Sequence, residues 1–289
     1  MKTNLDKIAK MIAKGESPKE IAARLGLSER TVQRSAKKLR ETVNESILII
    51  PDVHIDPAES NDRMDWLGML IEERRPQKVV CLGDFANIDS LSSFDKGKKS
   101  AEGKRYAKDV RATIDAQERM FSHITYDPEL YMIGGNHEHR ITRAANLDPA
   151  LADTLSINDL QFEEFGWQYT PYTEILYLDG ISFTHHHTSG RMDRPIGGVN
   201  QARSILTKKH TSAVQGHSHV WDYAEDITGA GKKIFALVGG CYFEHEVSYA
   251  SRSEQNTWWR GITILHRVDE DNWDIERISI ERMKAMYAK

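Results

Sequence analysis

The chain lacks the features that would make it exported, membrane-bound or stapled by disulfides. Only Cys81 and Cys241 occur in 289 residues, far apart in sequence. Cys81 sits in the apolar run Val79-Val80-Cys81-Leu82, so buried free thiols are expected and neither cysteine is a candidate for chemistry. No stretch approaches the roughly 18 uninterrupted apolar residues of a membrane span, so no membrane partner is expected. The opening MKTNLDKIAK alternates charged and apolar residues and has no continuous apolar core of a secretory leader. A cytoplasmic protein is the resulting expectation. Internal repeats and low-complexity tracts are absent too, which excludes solenoids and disordered arrays.

What remains is ordinary globular composition, 39% hydrophobic and 28% charged, in a chain long enough for one substantial domain and a small accessory one. The net charge of −4 is unevenly spread. Residues 1–42 carry eleven Lys/Arg against five Asp/Glu, a formal +6 that leaves −10 for the rest. Two parts with different partners are implied. The expected division is a module at 1–42, a polar linker at 43–46 and a large domain at 47–289.

In the basic part, Leu5, Ile8, Met11 and Ile12 recur at helical spacing and Gly15 supplies a stop. Ser17-Pro18-Lys19-Glu20 has the form of a capping box opening a second helix with Ile21, Ala22 and Leu25, ended by Gly26. Ser28 caps a third helix from Glu29 to about Leu39. Its Val32 and Leu39 face inward, and Arg30, Gln33, Arg34, Lys37 and Lys38 remain outside. The string ESPKEIAARLGLSERTVQRSAKKLR resembles the helix-turn-helix of DNA-binding regulators. That resemblance implies that these five polar residues contact nucleic acid, DNA more than RNA, and that the protein pairs as a homodimer. Docking of the same basic arm to protein is the alternative.

After residue 46 the pattern changes. Ile47-Leu48-Ile49-Ile50 reads as a strand buried on both faces and ends at Pro51-Asp52-Val53-His54. Lys78 to Leu82 runs into Gly83-Asp84, and Leu130 to Ile133 into Gly134-Gly135-Asn136-His137-Glu138. Ile181 to Thr184 leads to His185-His186-His187, and Ser212 to Gln215 to Gly216-His217-Ser218-His219. Five strand ends thus bring Asp, His and Asn toward what can be one sheet edge, where α/β folds build sites. Each motif alone is weak, but their order is specific.

That ordered series, across residues 47–225, resembles the calcineurin-like metallophosphoesterases. The resemblance implies an α/β fold of two facing mixed β-sheets flanked by helices, preceded here by the small three-helix helix-turn-helix domain. It implies a phosphoester hydrolase with two divalent metal ions, which activate water between them and clamp the ester oxygens. Mixed imidazole and carboxylate ligands suit Mn, with Fe or Zn as alternatives. By motif, Asp52, His54 and His219 hold one metal, Asn136, His185 and His217 the other, and Asp84 bridges them. His186 stands where relatives carry Gly. His137 resembles the family's leaving-group acid; relatives orient it with an Asp where this chain has Asn87, which is expected to accept from its ring and leave His137 mainly a neutral hydrogen-bond donor, unless Asp89 takes over. Arg140 or Arg191 is expected on a substrate phosphate, with a surface salt bridge as the alternative.

The polar, lysine-rich stretch 89–104 reads as a surface loop beside the site. A hairpin turning at Asp179-Gly180 and further strands at 234–238, 262–266 and 273–278 are predicted, with helices at 62–73, 105–124 and 199–208. The aromatic pairs Tyr242-Phe243 and Trp258-Trp259 suit core or a site wall. A hydrolase fused to this arm points to a nuclease or phosphodiesterase. A phosphomonoesterase for a nucleotide or phosphoprotein, and a catalytically weak DNA-binding scaffold, are the alternatives.

Overall fold

The computed structural model describes residues 4–43, 45–247 and 250–288; expectations for the side chains of Leu5, Lys38 and Leu39 lie outside what it describes. The chain divides into two compact units, one of residues up to 46 with 266–274 and one of 47–265 with 275–289.

The first unit begins with three helices, α1 (Asn4–Ala13), α2 (Pro18–Leu25) and α3 (Glu29–Val43). Ser17 and Glu20 form the expected reciprocal cap, with the Ser17 N–H donating to Glu20 Oε2 at 2.8 Å and the Glu20 N–H to Ser17 Oγ at 3.4 Å. Gly26 closes α2 with φ 66°, a conformation glycine adopts without Cβ strain. Ile8, Met11, Ile21, Ala22 and Val32 are packed together as its core. α3 outruns its expected end near Leu39 and continues to Val43, because no Gly or Pro interrupts the run, so the start of the expected linker is helical.

The second unit holds two mixed sheets flanked by helices. In chain order its elements are β1 (Ser46–Ile50), α4 (Asp62–Arg74), β2 (Lys78–Cys81), α5 (Tyr106–Phe121), β3 (Glu129–Ile133), α6 (His139–Leu147), β4 (Gln168–Thr170), β5 (Leu176–Leu178) and β6 (Ile181–Thr184). Then come β7 (Thr188–Ser189), β8 (Arg194–Pro195), α7 (Gln201–Lys209), β9 (Ser212–Gln215), β10 (Trp221–Ile227), β11 (Lys233–Gly239), α8 (Arg252–Gln255), β12 (Gly261–Arg267), β13 (Trp273–Ser279) and α9 (Ile280–Tyr287). One sheet has the order β13-β12-β1-β2-β3-β4 and the other β10-β11-β9-β6-β5.

β1 to β4 are parallel neighbours, as are β6, β9 and β11. Every motif strand therefore ends at the same edge of its sheet. In the fully buried runs Ile47–Ile50 and Val79–Cys81, α4 and α5 cover one face, Leu48, Ile50, Val79 and Cys81, through Met64, Leu67, Leu70 and Met120. Ile205 and Leu206 of α7 cover the second sheet at Ala213, Ala236 and Val238. The hairpin β5-β6 turns at Asp179 and Gly180, both at positive φ (51° and 78°), as a tight two-residue turn requires. β10 and α6 had no signal in the periodicity. β10 is only half-buried and owes its existence to antiparallel pairing with β11, while α6 begins inside a motif. Among the described residues no helix is long and apolar enough to cross a membrane.

Candidate metal centre

The five strand ends deliver their polar side chains to one place. His54 Nε2 lies 3.2 Å from His219 Nε2, which is 3.2 Å from Asp52 Oδ2. Beside this first group, His185 Nε2 lies 3.0 Å from Asn136 Oδ1 and 3.1 Å from His217 Nδ1. Asp84 Oδ2 stands between the two, 3.4 Å from His185 Nε2 and 3.8 Å from His54 Nε2. Imidazole nitrogens that face each other and a carboxylate across such gaps do not form a self-sufficient hydrogen-bond network. With metal–nitrogen distances of about 2.0–2.1 Å, however, neighbouring donors of a single cation sit roughly 3 Å apart. Asp52, His54 and His219 could hold one cation and Asn136, His185 and His217 another, with Asp84 between the two groups.

The tautomers agree. The His54 Nδ1–H faces Asn87 Oδ1 at 3.3 Å and the His185 Nδ1–H donates to the Leu82 carbonyl at 2.9 Å, so each ring turns its Nε2 to the centre. Burial lowers His54 well below the usual imidazole range. Burial pulls His185 the same way, but the Asp84 carboxylate outweighs it and lifts the ring to about 10. Asp84 is the reverse case: burial would raise it, yet the His185 and His137 rings hold it well below the usual carboxylate range.

The backbone is bent to suit. His54, Asp84, His217 and His219 have φ of 47°, 48°, 71° and 59°, the left-handed region, which costs on the order of 1–3 kcal/mol per residue. Two glycines permit the close approach. A Cβ on Gly135 would lie 2.1 Å from Asp84 Oδ1, and one on Gly216 2.3 Å from Asp52 Oδ1. Glu138, given no role from the sequence, accepts backbone N–H groups of Asp84 (3.0 Å), Ala86 (2.7 Å) and Gly135 (2.8 Å), tying the loops after β2 and β3 together. Its signal was its place as the acid closing the Gly-Gly-Asn-His-Glu string. Burial, then Asp84, raises its carboxyl to about 7.

His137 is held differently from expectation. Its Nδ1–H donates to the main-chain carbonyl of Asn87 at 2.8 Å, while the Asn87 side chain spans from His54 to Asp56 Oδ2, to which its Nδ2 donates at 2.9 Å. The two-ended amide can bridge a ring N–H and a carboxylate, which an Asp could not do. Asp89 does not take over either, being engaged by Arg140 at 2.9 Å and Lys104 at 2.8 Å. Burial lowers His137 to about 4, and its Nε2 accepts from Arg140 Nη2 at 3.1 Å. The neutral ring thus presents a lone pair, not a proton, at Nε2.

Phe243 and Trp258 are both core and wall. Phe243 packs edge-on against His54 (5.0 Å between centroids) and His219 (5.3 Å), and Trp258 against His219 at 4.4 Å. The centre opens into a cavity of ≈ 670 Å³ whose lining includes His54, Asp84, Asn136, His137, Arg140 and residues of the 89–104 loop. Arg191 is exposed and does not line it. His186 is buried, 5.0 Å from the His217 ring, and offers a further donor beside His185 and His217. In the other unit Arg30, Gln33, Arg34 and Lys37 are all exposed on α3.

The family model described as calcineurin-like phosphoesterase matches residues 45–234, and that of a homeodomain-like domain matches residues 7–42. The chain is 23% identical over 235 residues to the Gene 54 protein of Mycobacterium phage L5, covering 77% of this chain and 89% of that protein. It is 24% identical over 238 residues to the Gene 54 protein of Mycobacterium phage D29, with the same coverage. Among solved structures, the Pseudomonas putida nuclease MPE matches 78% of this chain and 90% of its own at 14% identity and a TM-score of 0.33.

Proposed function

The chain belongs to the calcineurin-like phosphoesterase family and is a metal-dependent phosphoesterase; from that premise we propose that it is a phosphodiesterase acting on nucleic acid, DNA more than RNA. The observation that carries the reading is the convergence of seven donors from five strand ends into two groups that share Asp84. These residues would hold two divalent cations, which we take to be Mn and which, when bound, would supply an activated water and neutralise phosphoryl charge.

The chain's own residues do the rest. Asp84 holds the two groups together, its Oδ1 accepting the His137 N–H at 2.8 Å while Oδ2 faces inward. Asn87 fixes the His54 ring, and Glu138 fixes the loop that carries Asn136. His137 and Arg140 stand together on the cavity wall, where we assign Arg140 to a phosphoryl or leaving-group oxygen and His137 to holding that guanidinium in place through Nε2. The nucleic-acid assignment is supported by the fused homeodomain-like domain and its exposed basic face on α3. Purified protein with Mn(II) should cleave a phosphodiester and single- or double-stranded polynucleotide faster than a phosphomonoester. Monoester hydrolysis with every polynucleotide left intact would overturn the reading.

A further inference from the structure

The lysine-rich loop 89–104 is not used by the chemistry above, yet Asp89, Ser92, Phe94, Asp95, Lys98 and Ser100 line the cavity that contains Asp84, Asn136 and His137. The loop is internally braced. The Lys98 N–H donates to the Asp95 carbonyl at 2.9 Å, and the Ala101 N–H to the Lys98 carbonyl at 3.1 Å. The two acids of its cavity lining are already matched: Asp89 by Arg140 and Lys104, Asp95 by Ser100 Oγ at 2.7 Å and Lys104 at 3.4 Å. Two groups are left over. The Lys98 ammonium has no ion-pair partner among the described residues, and the Phe94 ring is 76% exposed. Scattered exposed apolar side chains are normal on proteins. A phenyl ring displayed by a hydrogen-bonded loop inside the reaction cavity, four residues from a lysine, is a different situation. It offers a flat apolar face and a positive charge, which together match a base and a phosphate.

We propose that this wall is a nucleotide subsite, in which Phe94 stacks on a base next to the scissile phosphate and Lys98 faces the flanking phosphate. The inference rests on the phosphodiesterase reading and sharpens it to single-stranded or frayed polynucleotide, because bases inside a duplex already have both faces covered.

The test removes the ring and the base separately. Full-length protein with Mn(II) is assayed on the p-nitrophenyl ester of thymidine 5′-monophosphate and on the same ester of the abasic sugar phosphate. Wild type should lose about tenfold in kcat/KM when the base is removed, the usual scale of one stacking contact. Phe94→Ala should fall about tenfold on the thymidine ester and be indifferent to base removal, whereas Phe94→Tyr should behave as wild type. Lys98→Ala should leave both esters unchanged but weaken turnover of a trinucleotide. If base removal costs Phe94→Ala as much as it costs wild type, or costs neither anything, the subsite is refuted while the phosphodiesterase reading stands. If wild type hydrolyses neither ester but does hydrolyse p-nitrophenyl phosphate, both readings fall together.

Discussion

The two units place their functional side chains in opposite surroundings. In the larger one, Asp52, His54, Asp84, His185 and His219 are almost wholly buried and every ring or carboxylate is fixed by a neighbour. In the helical unit, Arg30, Gln33, Arg34 and Lys37 are exposed, and Gln33 meets Glu29 at 3.3 Å. Buried polar groups demand partners, so a change at one propagates through the whole centre. Exposed charges act nearly independently, through long-range attraction that salt weakens. The larger unit thus suits fixed chemistry, and the surface of the helical unit suits the additive, salt-sensitive contacts proposed for nucleic acid.

That contrast can be broken by substitution. The largest effect is expected at Asp84: Asp84→Asn should lower kcat/KM about 10³-fold or more, because the charge shared by both donor groups is lost. Gly135→Ala should come next, since its Cβ would collide with Asp84, and overpacking of this kind costs about 1–3 kcal/mol in thermal or chemical unfolding, with metal affinity lost as well. His137→Gln should reduce kcat about 10²-fold while metal content, measured by elemental analysis, stays at the wild-type level; a parallel loss of metal would remove its role in positioning Arg140. Asn87→Ala frees the His54 ring and should weaken metal binding about tenfold in calorimetric titration without unfolding the chain. Smallest, Arg30→Ala or Arg34→Ala should weaken DNA binding modestly and reduce the slope of log affinity against log salt by about one, leaving hydrolysis of a small diester unchanged. Effects on the diester comparable to those at Asn87 would erase the distinction between the units.

The same contrast explains how much was legible in the sequence. The parallel strands and their donors could be read because a doubly buried strand must be continuously apolar and a metal ligand has few allowed residue types, as at Ile47–Ile50 followed by Asp52 and His54. The capping box at Ser17 and Glu20 was legible for a local reason, since its partners are three residues apart. What could not be read depends on distant partners. The Asn87 side chain serves His54 rather than His137 because Asp56 waits at its other end, and Glu138 acts through backbone N–H groups, which no sequence pattern marks. β10 exists only because β11 pairs with it. The direction of a side chain such as Arg191, exposed and away from the cavity lining, is likewise set by a loop whose path the motif does not determine.

Metal stoichiometry decides whether the proposed dinuclear centre, with Asp84 at its middle, forms. Calorimetric titration of metal-free full-length protein with Mn(II), checked by elemental analysis after gel filtration, should give two ions per chain, and Asp84→Asn should retain fewer while its circular dichroism is unchanged. A wild-type protein that binds a single ion, or none, would contradict the account.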